Sequence, residues 1–316
     1  MIRPELIAGE LNTARFRILY TSRSETAARN LAEEIEATRD YFSKVLSRDW
    51  PGVTEVRLGM GRQEFEGLAI PGDKLPSWVA ARAYPLANVI LLEARSLTEA
   101  NGNAVLRHEL SHVALGQLGG VWPNWFQEGL AKYLTGERGS LAEYATLFRA
   151  VRQDKIFRFE DLSEQWPDQP SDVELAYAQS VAFVSFLIDR HGPEGLGKLI
   201  DGVAHGSPFE TEFAKAFKTS LLLEETEWRH QLPVRYSWVP ILTNPSTLWA
   251  ALALVCMAAF WRLRSQLRKR RRTAEAAEAA EIAASLLSRE PPGTIAASND
   301  NAELPPGPST HSGDSG

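Results

Sequence analysis

Cysteine is almost absent from this sequence. The single Cys256 has no partner for an internal disulfide and excludes a Cys-based zinc site. It lies in the most apolar stretch of the chain, where a thiol behaves as a small inert hydrophobe. Any metal must therefore be held by His, Asp or Glu. Histidine is scarce as well, with six in 316 residues, so two at a metal-binding spacing carry weight. The opening residues, MIRPELIAGE, contain no apolar run of the kind a secretory signal requires. No repeat appears at the periods of solenoids or propellers.

Charge is missing in two places. Residues 236–261 form a 26-residue window with no charged side chain, and acidic residues are absent from 262–272, where seven basic ones cluster. The net charge is -6, so the rest of the chain is decidedly acidic. An acidic body argues against a nucleic-acid-binding surface. The window is long enough for a membrane span, and a basic run after it is what a cytoplasmic flank looks like. The expectation is therefore one transmembrane helix over 238–261, which makes the membrane a partner. A basic flank and a largely disordered tail follow over 262–316, with a short helix inside it at 274–287. This topology puts the body on the extracytoplasmic side and the tail in the cytoplasm. Moving seven positive charges across a bilayer is unfavourable, so a signal encoded upstream of Met1 is expected rather than a cytoplasmic tail-anchored body.

The body reads as mixed α and β. Residues 16–20 and 53–58 alternate like strands, and 88–93 is a short apolar run typical of one. Residues 25–47 place Leu31, Ile35, Thr38 and Phe42 at helical spacing after Ser24, a candidate cap.

The chemistry concentrates in NAVLRHELSHVALG, residues 103–116. Val105, Leu106, Leu110, Val113 and Leu115 make this a buried helix. Residues four apart on a helix lie one turn above each other, so His108 and His112 present both imidazoles to one point, as zinc requires. Glu109, one position along, reaches a zinc-bound water and serves as general base. Such sites are closed by a residue from a later element. In WPNWFQEGLAKY, residues 122–133, a turn at Pro123 opens a helix with Glu128 in its first turn, 16 positions after His112. A helical hairpin through the glycines at 116, 119 and 120 would return Glu128 over the His pair. Glu137 and Glu143 are weaker candidates.

His108-Glu-Leu-Ser-His112 followed by Pro123-x-Trp125-Phe-x-Glu128-Gly129-Leu-Ala131 resembles the peptidase MA-like family of gluzincin zinc metallopeptidases over roughly residues 14–205. The resemblance implies an α+β zincin-like peptidase domain over 14–235, in which a small mixed sheet and the HExxH helix (14–120) precede a helical part carrying the third ligand (121–235). It implies Zn2+ held by His108, His112 and Glu128, with Glu109 as catalytic base. It also implies that strand 88–93 is the edge strand that binds substrate by strand addition, with Arg82 and Tyr84 candidates for the groove. Where thermolysin-like members carry an Asp four residues after the Glu ligand, this chain has Lys132. Tyr177, at the start of a helix ending near His191 and Gly192, matches the family's tyrosine and is the candidate oxyanion donor. The expected function is a membrane-anchored zinc metallopeptidase acting on peptides or proteins. The alternative is a non-catalytic, membrane-tethered binding module on the same scaffold.

Overall fold

The computed structural model describes residues 3–77, 79–98, 102–136, 139–237 and 245–287. They belong to two units, Met1–Thr243 and Asn244–Gly316.

In the first unit, β1 (Gly9–Asn12), β2 (Phe16–Tyr20), β3 (Thr54–Gly59), β4 (Ala81–Tyr84) and β5 (Val89–Glu93) form a sheet in the order β1-β2-β3-β5-β4. The three inner strands are parallel, and the two short outer ones are antiparallel to their neighbours. Alternation decides which face is buried deepest. Phe16, Ile18, Tyr20, Val56, Leu58, Ile90 and Leu92 enter the main core. On the other face Leu91 joins Phe65 and Leu68, from α2 (Arg62–Gly67) and the residue after it, in a smaller cluster.

One expectation is overturned here. Strand 88–93 is not the edge: β5 lies between β3 and β4. Its four successive buried residues, Val89 to Leu92, are what a strand covered on both faces requires. The edge beside it is β4.

Helix α1 (Glu25–Val45) buries Ala28, Leu31, Ile35 and Phe42 at the expected spacing. Ser24 does not cap it with its side chain. Its hydroxyl instead donates to the Leu58 carbonyl, pinning the helix start to β3. Arg39 is also buried, because its guanidinium pairs with Asp49, bonds three backbone carbonyls and stacks on Trp50.

The remainder of the unit is helical: α3 (Gly102–Leu118), α4 (Asn124–Thr135), α5 (Leu141–Arg152), α6 (Asp161–Glu164), α7 (Pro170–Ala204), α8 (Phe209–Phe217) and α9 (Leu221–Arg235). Helix α7 breaks at Gly192, just before Pro193. Trp125 is fully buried and its ring packs against Phe126, Phe159, Phe183 and Phe209, fixing α4 in the core.

The described part of the second unit is a single helix, α10 (Pro245–Leu287), so the short helix expected at 274–287 is the end of a longer one. Among the described residues no helix is long and apolar enough to cross a membrane. The expected span over 238–261 begins in residues 238–244, which lie outside the described ones. Its dense apolar part, Leu248–Trp261, is 14 residues, or about 21 Å at ~1.5 Å per residue, against a hydrocarbon core of ~30 Å. The tail from 288 onward also lies outside the described residues.

Candidate metal centre

The site is a helical hairpin locked at its turn. Helix α3 buries Leu106, Leu110, Val113 and Ala114, leaving His108 and His112 at the rim of the core. After α3 the chain reverses through Gly119 and Gly120, both at positive φ (84° and 88°), a conformation that suits glycine. The Trp122 indole donates to the Leu115 and Gly119 carbonyls, satisfying the open end of α3. Helix α4 then starts after Pro123, and Glu128 falls on its fifth residue, in the second turn rather than the first.

This arrangement brings three of the sequence-predicted residues together. His108 Nε2 and His112 Nε2 are 3.2 Å apart. Glu128 Oε2 is 3.4 Å from His108 Nε2, and Oε1 is 3.7 Å from His112 Nε2. Among the described residues this is the one group of three or more His, Cys, Asp or Glu able to share an ion, with ligand atoms within 4.8 Å of one another. Ligands 2.0–2.2 Å from a tetrahedral zinc stand about 3.3 Å apart, so the donor set and its spacing fit zinc. Glu128 Oε2 is buried and, among the described residues, has only the His108 ring nitrogen at 3.4 Å beside it in the triad, a position a cation would satisfy.

The electrostatics of the three groups are interlocked. Burial opposes charge on His108, but pairing with Glu128 and the Glu109 carboxylate outweigh it and hold the imidazole above its ordinary value. Burial dominates at His112, and its value falls. Burial also opposes ionisation of Glu128, yet the two imidazoles and Lys132 keep it below the usual carboxylate range. The three groups thus favour a proton on His108 over one on His112, beside a carboxylate biased toward ionisation.

Tyr177, in α7, presents its phenol to Glu128. Burial and then the Glu128 and Glu109 charges push the phenol well above its ordinary value, keeping it a proton donor. Trp166 packs edge-on against its ring at 5.1 Å. Lys132 Nζ lies 5.3 Å from the ring centroid on the other contact. Lys132, at the position where thermolysin-like enzymes carry an aspartate, thus lies over Tyr177 and also acts on Glu128, contacts that sequence spacing alone does not reveal. Gly129 lets α4 approach α7: a Cβ there would stand 2.5 Å from the Ser180 carbonyl oxygen.

Glu143 lies outside the triad and lines a neighbouring cavity; Glu137 lies outside the described residues. Arg82 and Tyr84, on β4, are both held by Asp73, at 3.5 and 2.8 Å, and Arg82 is among the charges acting on His112. Asp73 had no signal in the sequence. His191 pairs with the buried Glu224 at 3.2 Å, His205 is exposed beside Asp201, and His230 is exposed on α9.

A family model described as the Peptidase MA superfamily matches residues 73–233, a stretch that contains the whole constellation. No individual curated protein matches the chain. Similar solved structures include a mutant M1 zinc metallopeptidase from Deinococcus radiodurans bound to a Tyr-Ser-Ala substrate, at 17% identity and a TM-score of 0.35. A two-domain M1 zinc metallopeptidase mutant bound to L-tryptophan is similar at 18% identity and a TM-score of 0.36. Each likeness covers 72% of this chain and 50% of the other, so this chain spans about half the length of those proteins.

Proposed function

The chain belongs to the Peptidase MA superfamily, and from that premise we propose that it is a zinc metallopeptidase hydrolysing peptide bonds. Membership supports a peptidase-type function. The observation that carries the finer reading is the convergence of His108, His112 and Glu128, with Glu109 and Tyr177 around them.

In this reading His108, His112 and Glu128 hold the ion. Zinc, when bound, polarises the scissile carbonyl and acidifies the attacking water. Glu109 takes a proton from that water as its oxygen bonds to the carbonyl carbon. The same carboxyl returns the proton to the amine as the C–N bond breaks. Tyr177, kept protonated by its surroundings, donates a hydrogen bond to the oxyanion. Strand β4, at the edge of the sheet and in contact with α3, is the strand that would offer backbone groups to an extended peptide.

The test is Glu109→Gln, assayed with a peptide library and by metal analysis. The variant should keep its zinc and lose turnover by several orders of magnitude. Hydrolysis at the wild-type rate would end the assignment. Zinc binding without cleavage in the wild type would point to the non-catalytic module.

Association of the second unit with a membrane is also part of the proposal. Helix α10 exposes Trp249, Leu252, Val255, Phe260 and Trp261 and continues into the seven basic residues of 262–272. That pairing of apolar and cationic surface suits anionic lipid. The full chain should float with phosphatidylserine-containing vesicles; flotation with neither anionic nor neutral vesicles would remove this part of the proposal.

A further inference from the structure

A cavity of about 170 Å3 opens between α4, α5 and α7. Tyr177 forms part of its wall and also faces Glu128, so the cavity begins one side chain away from the metal-ligand group. Its lining has two chemical halves. Ala142, Ala178 and Val181 supply an apolar sleeve, and Glu143 and Glu174 supply carboxylates. The Glu143 carboxylate is held by the Gly139 and Ser140 amides, and Glu174 is held through one oxygen. Glu143 Oε2 accepts from the Gly139 amide at 2.8 Å, and Glu174 Oε1 accepts from the Thr146 hydroxyl at 2.7 Å. Among the described lining residues Lys132 is the cation set against the two carboxylates, with its Nζ over the Tyr177 ring.

Glu143 is shared with a second cavity of about 430 Å3, where Asp189 adds another carboxylate and Arg235 a cation that acts on Glu143. The Ser185 hydroxyl in that second wall is buried and has no hydrogen-bond partner among the described residues. Taken together, the two linings run from Tyr177 past a methylene-sized sleeve to three carboxylates, Glu143, Glu174 and Asp189, against two cations, Lys132 and Arg235. A long side chain with an apolar stem and a cationic head matches that sequence of environments.

We propose that this cavity is the side-chain subsite of the proposed peptidase centre and that it selects a lysine or arginine next to the scissile bond. Glu143 and Glu174 receive the head group, and Ala142, Ala178 and Val181 receive the stem. The inference rests on the peptidase reading for its role but not for its recognition, because binding can be read without turnover. Burial raises Glu143 above the usual carboxylate value, and a bound cation would reverse that cost.

The experiment uses the full-length chain carrying Glu109→Gln, loaded with zinc, and two peptides differing only in one residue, Lys or Met, placed in turn on either side of the central bond. Affinity is measured by fluorescence anisotropy. A charge-assisted hydrogen bond is worth roughly tenfold in affinity, so the Lys peptide should bind about tenfold tighter than the Met peptide. The ratio should collapse toward one when Glu143→Gln and Glu174→Gln are added, with far-UV circular dichroism reporting that each variant is folded. Equal affinity for the two peptides, or a preference indifferent to both substitutions, would overturn the inference. If the Lys preference holds while the wild-type enzyme cleaves neither peptide, the peptidase reading fails and the basic-ligand site stands.

Discussion

Replacing Gly129 by alanine sets two physical effects of opposite sign against each other. Gly129 is inside α4 with ordinary helical backbone, and in an open helix Gly→Ala gains about 1 kcal/mol. Here the new Cβ would stand 2.5 Å from the Ser180 carbonyl oxygen, 2.7 Å from its carbon and 2.8 Å from a Val184 methyl. Two of the three are backbone of α7 and cannot step aside as a side-chain tip does. Overpacking of this kind costs typically 1–3 kcal/mol, and contacts this short belong at the upper end. The net effect should be a loss of about 1–2 kcal/mol, or a fall in Tm of roughly 2–8 °C for a domain of this size. Because Glu128 precedes the substituted residue, zinc affinity should fall with it. Calorimetry of the metal-free protein and competition with a chromogenic chelator measure the two effects. A variant that melts at or above the wild-type temperature would show that α4 and α7 are not in close contact at this point, and would refute the reasoning.

Glu128→Ala should lower bound zinc to well under one ion per chain; unchanged stoichiometry by atomic emission would remove Glu128 from the ligand set. Tyr177→Phe should reduce kcat by about 10²–10³-fold, the range for losing one oxyanion donor, with little change in KM, and equal kcat would exclude the phenol from the reaction. On the acid side, burial raises Glu36, but hydrogen bonds from Thr13 and Arg15 outweigh it and set its carboxyl below its ordinary 4.5. A depressed carboxylate stabilises the fold above its unfolded value, and that contribution is lost as pH falls through the folded one. Glu36→Gln should therefore lower Tm near neutrality and flatten the Tm profile below about pH 4.5; parallel profiles would exclude the linkage.

Strong local periodicity was readable from the residues. Phe16–Tyr20 alternates in the sequence and pairs as β2, and α1 follows its apolar spacing. The meeting of His108 with His112 follows from a four-residue step on a helix. Their meeting with Glu128 needed only a hairpin, for which the glycines and Pro123 gave the signal. Short outer strands were not legible, because β1 and β4 are four residues each and only half-buried, so neither shows a clear apolar alternation. The central place of β5 was legible and misread, since Val89–Leu92 is apolar on both faces and an edge strand rarely is. Arg39 looks like a surface charge in the sequence. Its burial depends on Trp50, Asp49 and three carbonyls contributed by other segments. Lys132 and Tyr177 are 45 positions apart in the chain, and their contact exists only because α4 crosses α7 at Gly129.

The charge balance of the triad bears on how it takes a metal. The Glu128 carboxyl is held below its ordinary value and the His108 imidazole above its own near 6.5, while burial lowers His112. A proton on His108 thus occupies the place in the electrostatic pattern that a cation would take. Zinc binds the neutral imidazole, so binding must displace that proton. At pH 6.5 His108 is more than half protonated, and each zinc should release more than half a proton from it. The release should fall as pH rises through the His108 value, because the proton is then already gone. Ionisation of a zinc-bound water would give the opposite trend, increasing with pH toward its own value near ~7. Titration calorimetry in buffers of different ionisation enthalpy separates the two by slope. Glu128→Gln should bring His108 back down and shrink the release at pH 6.5. A release that is absent at pH 6.5, or that grows steadily to pH 8, would mean that Glu128 does not hold a proton on His108 in the metal-free protein.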